Sequence, residues 1–374
     1  MRRPLVVSIV SFALFVASAA ADARAGVPQD APPAASISDR LARARTAVLT
    51  GSAPLEETID EIKRLLALDP TLAEAHLLLG LAYRSEGSSP LLPEAIAEFR
   101  QALALDPALV AGRYYLANSY LDLNRPGRAR EELEAGLERL PDQPQFLTLL
   151  SEAERRLGNA ARAVELAQRV LASTPNDVLA RYYGGLALLD MGRRDDGVAY
   201  LEAVANAGVP NIEAFLRLGT LYLEDNRIDD ATGMLVKAAI MAPTRPDIRI
   251  ALGRAYRLAG LLSDAEQQLA LALPPGSAVE ASAFYEELQG NLYLESGLLR
   301  MQQARLDEAV AALRRALDFR PAHGPTLQAL AEAFARQGNY ELAAEHAARA
   351  ETAGTPVSDA VRARIESRGQ DATR

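Results

Sequence analysis

The sequence predicts an all-α solenoid of about nine helix-turn-helix hairpins, and three recurring residue series predict it. One is a small residue: Ala95, Ala129, Ala163, Gly197, Ala231 and Ala265 follow one another at a constant 34, and Ala309 to Ala343 repeats the step. A second runs Gly80, Ala117, Ser151, Gly185, Gly219, Gly253, Gly290 and Ala331, most steps again being 34. The third is proline, from Pro70 through Pro107, Pro141, Pro175, Pro210 and Pro243 to Pro321 and Pro356. Self-similarity at one period marks a repeat architecture.

Each series has a physical task. Small residues facing one another let two helix backbones approach until their side chains interlock. Apolar positions at helical spacing, such as Leu116 with Tyr120 and Leu218 with Tyr222, supply the stripe that meets the partner helix. Proline just past a helix cannot continue the hydrogen-bond ladder, so the chain turns.

In chain order, residues 1–21 read as a signal peptide. Arg2 and Arg3 precede an apolar run from Leu5 to Ala17, and Ala19-Ala20-Ala21 offers a cleavage site. The competing reading is an uncleaved helix, because Leu5 to Ala21 approaches a spanning length. Residues 22–38 form a flexible Pro- and Ala-rich leader. Residues 39–273 hold seven hairpins, the first of which looks like an end cap with a short, weak first helix. In the second, "RSEGSSPLLPEA" adds three residues to the turn and presents Leu91 and Leu92 in a loop. Residues 274–356 hold two more hairpins after the break "LPPGSAV" (Leu273 to Val279). Seven extra residues between Tyr293 and Ala309 lengthen the first helix of the eighth hairpin by about two turns. Residues 357–374 form a charged capping helix and tail, with Ser358 as N-cap.

This pattern resembles the tetratricopeptide repeat family. "LLLGLAY" (Leu77 to Tyr83), "FLRLGTLY" (Phe215 to Tyr222) and "IALGRAY" (Ile250 to Tyr256) carry the family's first-helix motif. "EAIAEFRQALALDP" supplies the second-helix series Ala95, Phe99, Ala102 and Pro107. The resemblance covers roughly residues 39 to 356 and implies a right-handed superhelix whose first helices line a concave groove. It also implies a protein or peptide partner held there. The Arg-Tyr-Tyr triplets at 113 and 181 stand 68 residues apart, twice the period, so they are periodicity and not a copied catalytic element.

One residue past the packing stripe, a helix face should look into the groove. That face gives Tyr114, Asn118 and Leu121, then Thr148, Glu152 and Arg155, then Tyr182, Leu186 and Leu189. Leu216, Thr220 and Leu223 follow, and then Ile250, Arg254 and Arg257. The expected groove is apolar and aromatic in its middle with charges on either side, which suits an anchor-and-rim protein interface. The competing reading packs Tyr114 and Tyr182 against the neighbouring hairpin.

Composition narrows the chemistry. The chain has 374 residues, 49% hydrophobic and 24% charged, with a net charge of −9. The acidic balance argues against a nucleic-acid partner. With no cysteine there are no disulfides or thiolate sites. His76, His323 and His346 fall in different hairpins, so neither a metal site nor a serine triad is expected. "EDNRIDDATG" (Glu224 to Gly233) lacks the alternation of a calcium loop and reads as helix capping. The expectation is a non-catalytic scaffold without cofactor, periplasmic or secreted, and membrane-bound only if the N-terminal segment is retained. A carbohydrate-binding role for the groove tyrosines is the alternative from a different class.

Overall fold

The computed structural model describes residues 36–85, 91–272 and 283–371. The signal-peptide reading, most of the leader and the break at 273–279 lie outside them. Among the described residues there are nineteen helices and no strand. They pair as α1 (Ile37–Thr50) with α2 (Leu55–Leu68), α3 (Ala73–Ser85) with α4 (Leu92–Leu105), and α5 (Val110–Asp122) with α6 (Pro126–Leu137). Next come α7 (Pro144–Arg156) with α8 (Ala160–Ser173), and α9 (Val178–Asp190) with α10 (Arg194–Ala205). Then α11 (Ile212–Glu224) pairs with α12 (Ile228–Met241), and α13 (Pro246–Leu258) with α14 (Leu262–Ala272). The last pairs are α15 (Ala283–Gln302) with α16 (Leu306–Phe319) and α17 (Gly324–Gln337) with α18 (Tyr340–Thr352), followed by α19 (Asp359–Asp371). The chain divides into two compact units, residues 1–200 and 201–374.

Local chemistry starts and stops these helices. Asp177 and Asn211 cap α9 and α11 by accepting from the backbone N–H of Ala180 and Ala214. Proline occupies the first turn of α4, α6, α7, α13 and α17, where a missing N–H costs nothing. Inside the hairpins the turn needs one left-handed residue. Asn124, Gly158, Gly192, Asn226, Gly260, Ala304 and Gly338 fill it, with φ between 52° and 86°. Glycine and asparagine tolerate that region, whereas alanine is strained there.

The small residues meet as their spacing requires. Ala95, Ala129, Ala163, Ala231, Ala265, Ala309 and Ala343 are fully buried. A Cβ on Gly219 would lie 2.5 Å from Leu235, and one on Gly253 2.8 Å from Leu269. At these two positions even an alanine Cβ would force Leu235 or Leu269 to move, so glycine lets the paired helices approach closely.

Four expectations need correction. The first helix of the first hairpin is not short: α1 has 14 residues and begins at Ile37, inside the predicted leader. Ser36 and Asp39 form a reciprocal capping box that fixes this start. Leu92 is the first residue of α4, and Leu91 its N-cap, so the two are not a loop. His346, which the sequence places as a solvated or half-buried helix residue, is buried at 7% exposure and stacked on Phe334 with ring centroids 5.4 Å apart. Burial, then the neighbouring Arg349, lowers its pKa.

The fourth concerns register. Gly290 does not hold the small-residue slot of the eighth hairpin; Gly297 does. A Cβ on Gly297 would lie 2.5 Å from Leu313, as Gly219 lies against Leu235. Gly297 also precedes the left-handed Ala304 by seven residues, the offset between Gly253 and Gly260. The seven extra residues therefore extend α15 at its N-terminus, ahead of the packed register. Gly290 instead faces the Arg320 side chain. At the far end, Ser358 caps α19 by accepting from Val361 N–H at 3.4 Å.

Candidate functional site

Within the second unit, the first helices of four successive hairpins wall a cavity of about 530 Å³. Equivalent slots supply its floor: Leu216 of α11, Ile250 of α13 and Leu294 of α15 share one slot, and Thr220, Arg254 and Leu298 the next. Leu223 and Arg257 continue the face. The extended α15 adds Leu288, which is nearly buried, and His323 and Pro325 close the wall at the start of α17.

Most polar groups in this wall are satisfied internally. The Arg257 guanidinium meets Glu295 at 2.9 Å, both side chains being 9% exposed. Arg245 holds Asp247 and also Glu213. Thr220 Oγ1 donates to the Leu216 carbonyl at 2.9 Å, and Arg320 Nη1 donates to Asn291 Oδ1 at 2.9 Å. His323 Nδ1 lies 2.8 Å from Thr326 Oγ1. Burial, then Arg320, lowers the His323 pKa, so the ring adds no charge near neutrality. Arg254 differs: it is 42% exposed and reaches Glu295 only at 3.7 Å.

The predicted residues separate into two groups. Leu216, Thr220, Arg254 and Arg257 come together in this cavity. Tyr114, Asn118, Leu121, Arg155, Tyr182, Leu186 and Leu189 belong to the first unit. Two of those are core, not groove. Tyr114 is 4% exposed, with its ring 5.2 Å from Tyr115 and 5.7 Å from Phe146. Leu121 is also 4% exposed in the same cluster. Thr148 and Glu152 are buried as well. Asn118, Tyr182, Leu186 and Leu189 are half-buried on their first helices.

Arg155 and Arg257 are struts between hairpins. Arg155 donates to Asp190 at 2.9 Å and Arg257 to Glu295, in each case a residue of the following first helix. Arg84, in the same slot of the second hairpin, meets Ser119 and Asp122 of the third. An arginine in this slot spans the gap that the leucines at 121, 189 and 223 leave to packing.

Leu288, Leu294, Glu295 and Leu298 are not among the predicted residues, because the predicted groove face ends at α13. The missing signal was the offset of 12 residues between paired small residues, Gly219 to Ala231 and Gly253 to Ala265. Counting back 12 from Ala309 selects Gly297.

Among the described residues, no cluster of three His, Asp or Glu is placed to hold a metal ion. No helix there is long and apolar enough to cross a membrane.

Stacked helix hairpins with tight small-residue contacts and a groove walled by first helices define a helical-repeat protein. The tetratricopeptide repeat sequence pattern matches residues 114–178, 184–232, 216–281 and 294–358, and the chain belongs to that family. It is 26% identical over 201 residues to tetratricopeptide repeat protein 8 of Caenorhabditis elegans, covering 52% of this chain and 37% of that protein. The chain thus spans little more than a third of that curated relative's length. The crystal structure of the APC/C hetero-tetramer Cut9–Hcn1 superimposes with a TM-score of 0.62 at 13% identity, covering 88% of this chain and 62% of that one. The pilus biogenesis factor PilW gives a TM-score of 0.48 at 19% identity, over 56% of this chain and 96% of that one. These are likenesses of fold.

Proposed function

We propose that this protein is a non-catalytic scaffold that holds a segment of another polypeptide against the first helices α11, α13 and α15, in the envelope of a bacterium. One observation carries the binding reading: the same slots of successive hairpins converge on an apolar cavity instead of closing it. Leu216, Leu294 and Leu298 remain half-buried there, and covering them gains free energy from apolar area removed from water. The export setting rests on residues 1–21, whose order of basic, apolar and small residues suits cleavage. Burial of Tyr114 removes one of the two aromatic faces on which a saccharide reading depends.

The test uses the full chain in its own cells, with a photo-crosslinking amino acid at Thr220. Crosslinks to a protein are expected, and they should drop about tenfold when Leu216→Asp and Leu298→Asp are combined, since the two half-buried leucines together give up about 1.4 kcal/mol of apolar contact. Circular dichroism of that variant should match the wild type. Crosslinks that persist undiminished in the double variant refute the site. Edman sequencing of the same protein should start at Asp22 (net charge −11, from 49 acidic and 38 basic residues) or at Gly26, since Ala23-Arg24-Ala25 offers a further Ala-x-Ala site; a retained Met1 makes it an anchored protein instead.

A further inference from the structure

The cavity pairs a greasy wall with one underused cation. Asp247, Glu295, Asn291, Thr220 and His323 all have internal partners, as given above. Arg257 is consumed by Glu295, with both side chains nine-tenths buried. Arg254, the other lining arginine, has a side chain 42% exposed with one loose contact at 3.7 Å. Glu295 carries one negative charge against two arginines, so this end of the cavity has a surplus of one positive charge. At the other end Arg245 is shared between Asp247 and Glu213, so that end carries one negative charge in excess and the positive surplus is confined to Arg254. The surplus stands out in a chain whose net charge is −9.

Arg254 lies four residues after Ile250 on α13, just over one helical turn or about 6 Å along the axis, so the cation and the apolar wall face the same occupant. Resting on the peptide-binding reading above, we propose that the occupant is a partner segment bearing an acidic side chain beside a large apolar side chain. The apolar group fills the space between Ile250, Leu294 and Leu298, and the carboxylate meets Arg254. A side-chain carboxylate fits better than a chain end, because the cavity wall continues past Arg254 in both directions, to Ile250 and to Arg257. An exposed guanidinium with spare donors suits one such group, bound by two parallel N–H···O bonds.

The probe is a displayed library of random 12-residue peptides, selected on the full-length protein and counter-selected on the Leu216→Asp/Leu298→Asp variant. Enriched peptides should pair Leu, Ile or Phe with a nearby Asp or Glu. Synthesised with amidated C-termini, they should bind about fivefold tighter than versions with the acid changed to its amide, as for a partly exposed ion pair. Arg254→Gln should erase that difference and Arg254→Lys should keep most of it, while both variants retain wild-type circular dichroism. Added salt should narrow the difference. Enriched peptides that need the cavity but carry no acid overturn this inference and leave the scaffold reading standing. Binding that vanishes on amidation assigns the charge to a chain end and overturns it as well. If every enriched peptide binds the double variant equally, or none is enriched, both readings fall.

Discussion

Gly136→Leu is expected to lower the unfolding free energy by about 3 kcal/mol, at the upper end of what overpacking a tight core costs. Gly136 sits near the end of α6, where the next hairpin's α7 crosses it. A Cβ there would lie 2.1 Å from Phe146 Cε1, 2.6 Å from Cδ1 and 2.9 Å from Cζ. The ring cannot step aside: Phe146 is fully buried, and Tyr114 lies 5.7 Å away, centroid to centroid. Tyr114 is in turn held edge-on to Tyr115, which stacks on Phe99 at 6.0 Å. Displacing one ring therefore displaces a run of aromatics through three hairpins. Gly127, on the same helix, is the control, since a Cβ there meets nothing within 4 Å. Gly127→Ala should be neutral or add up to about 1 kcal/mol, because alanine loses less backbone freedom than glycine in a helix. Urea melts followed at 222 nm measure both. A Gly136→Leu protein that melts with the wild type would mean that α6 and Phe146 do not touch.

The same aromatic run shows what the sequence could and could not disclose. Helix hairpins were legible because burial imposes small residues at fixed intervals, and no competing fold repeats at 34. The faces were less legible. Tyr114 stands one position past the packing stripe, a step of about 100° that would normally turn a side chain toward the groove. A tyrosine is long enough to bend back, and with Gly136 opposite there was room for Phe146 to receive it. Side-chain length and a neighbour's missing Cβ decide such a case, and neither is visible in a one-helix pattern. In α15, Gly290 and Gly297 lie seven residues apart, close to two full turns, so they share a helix face and a stripe alone cannot choose between them. Contact with Leu313 decides it, and with it the identity of the residues on the cavity wall. Arg155 fits both a rim charge and a strut by its slot; only the presence of Asp190 one hairpin later separates the two.

That strut predicts the second large effect. Glu152 is 2% exposed, and two arginines close on it. Arg155 donates to it at 2.8 and 3.1 Å and Arg156 at 2.5 Å. Both also reach outward: Arg155 to Asp190 of α9, and Arg156 to the Leu121 carbonyl of α5 at 2.7 Å. Burial by itself would lower the Arg155 pKa, yet Glu152 and Asp190 together hold it raised, so the cation is kept by its partners. Glu152→Ala removes the anion and leaves two arginines facing each other across α7. Breaking a buried pair by deleting one member costs about 3–5 kcal/mol. Here the arginine side chains are 20% and 33% exposed and can turn partly to water, so a loss of about 2–3 kcal/mol is expected. The loss should not be uniform. Hydrogen exchange should quicken in α5, α7 and α9, the three helices the network joins, more than in α17. Arg128→Ala, which breaks an exposed pair with Glu131 on α6, should leave melting unaltered. If Glu152→Ala matches that control while Arg155→Ala abolishes partner capture, Arg155 is a binding residue after all and the strut assignment fails.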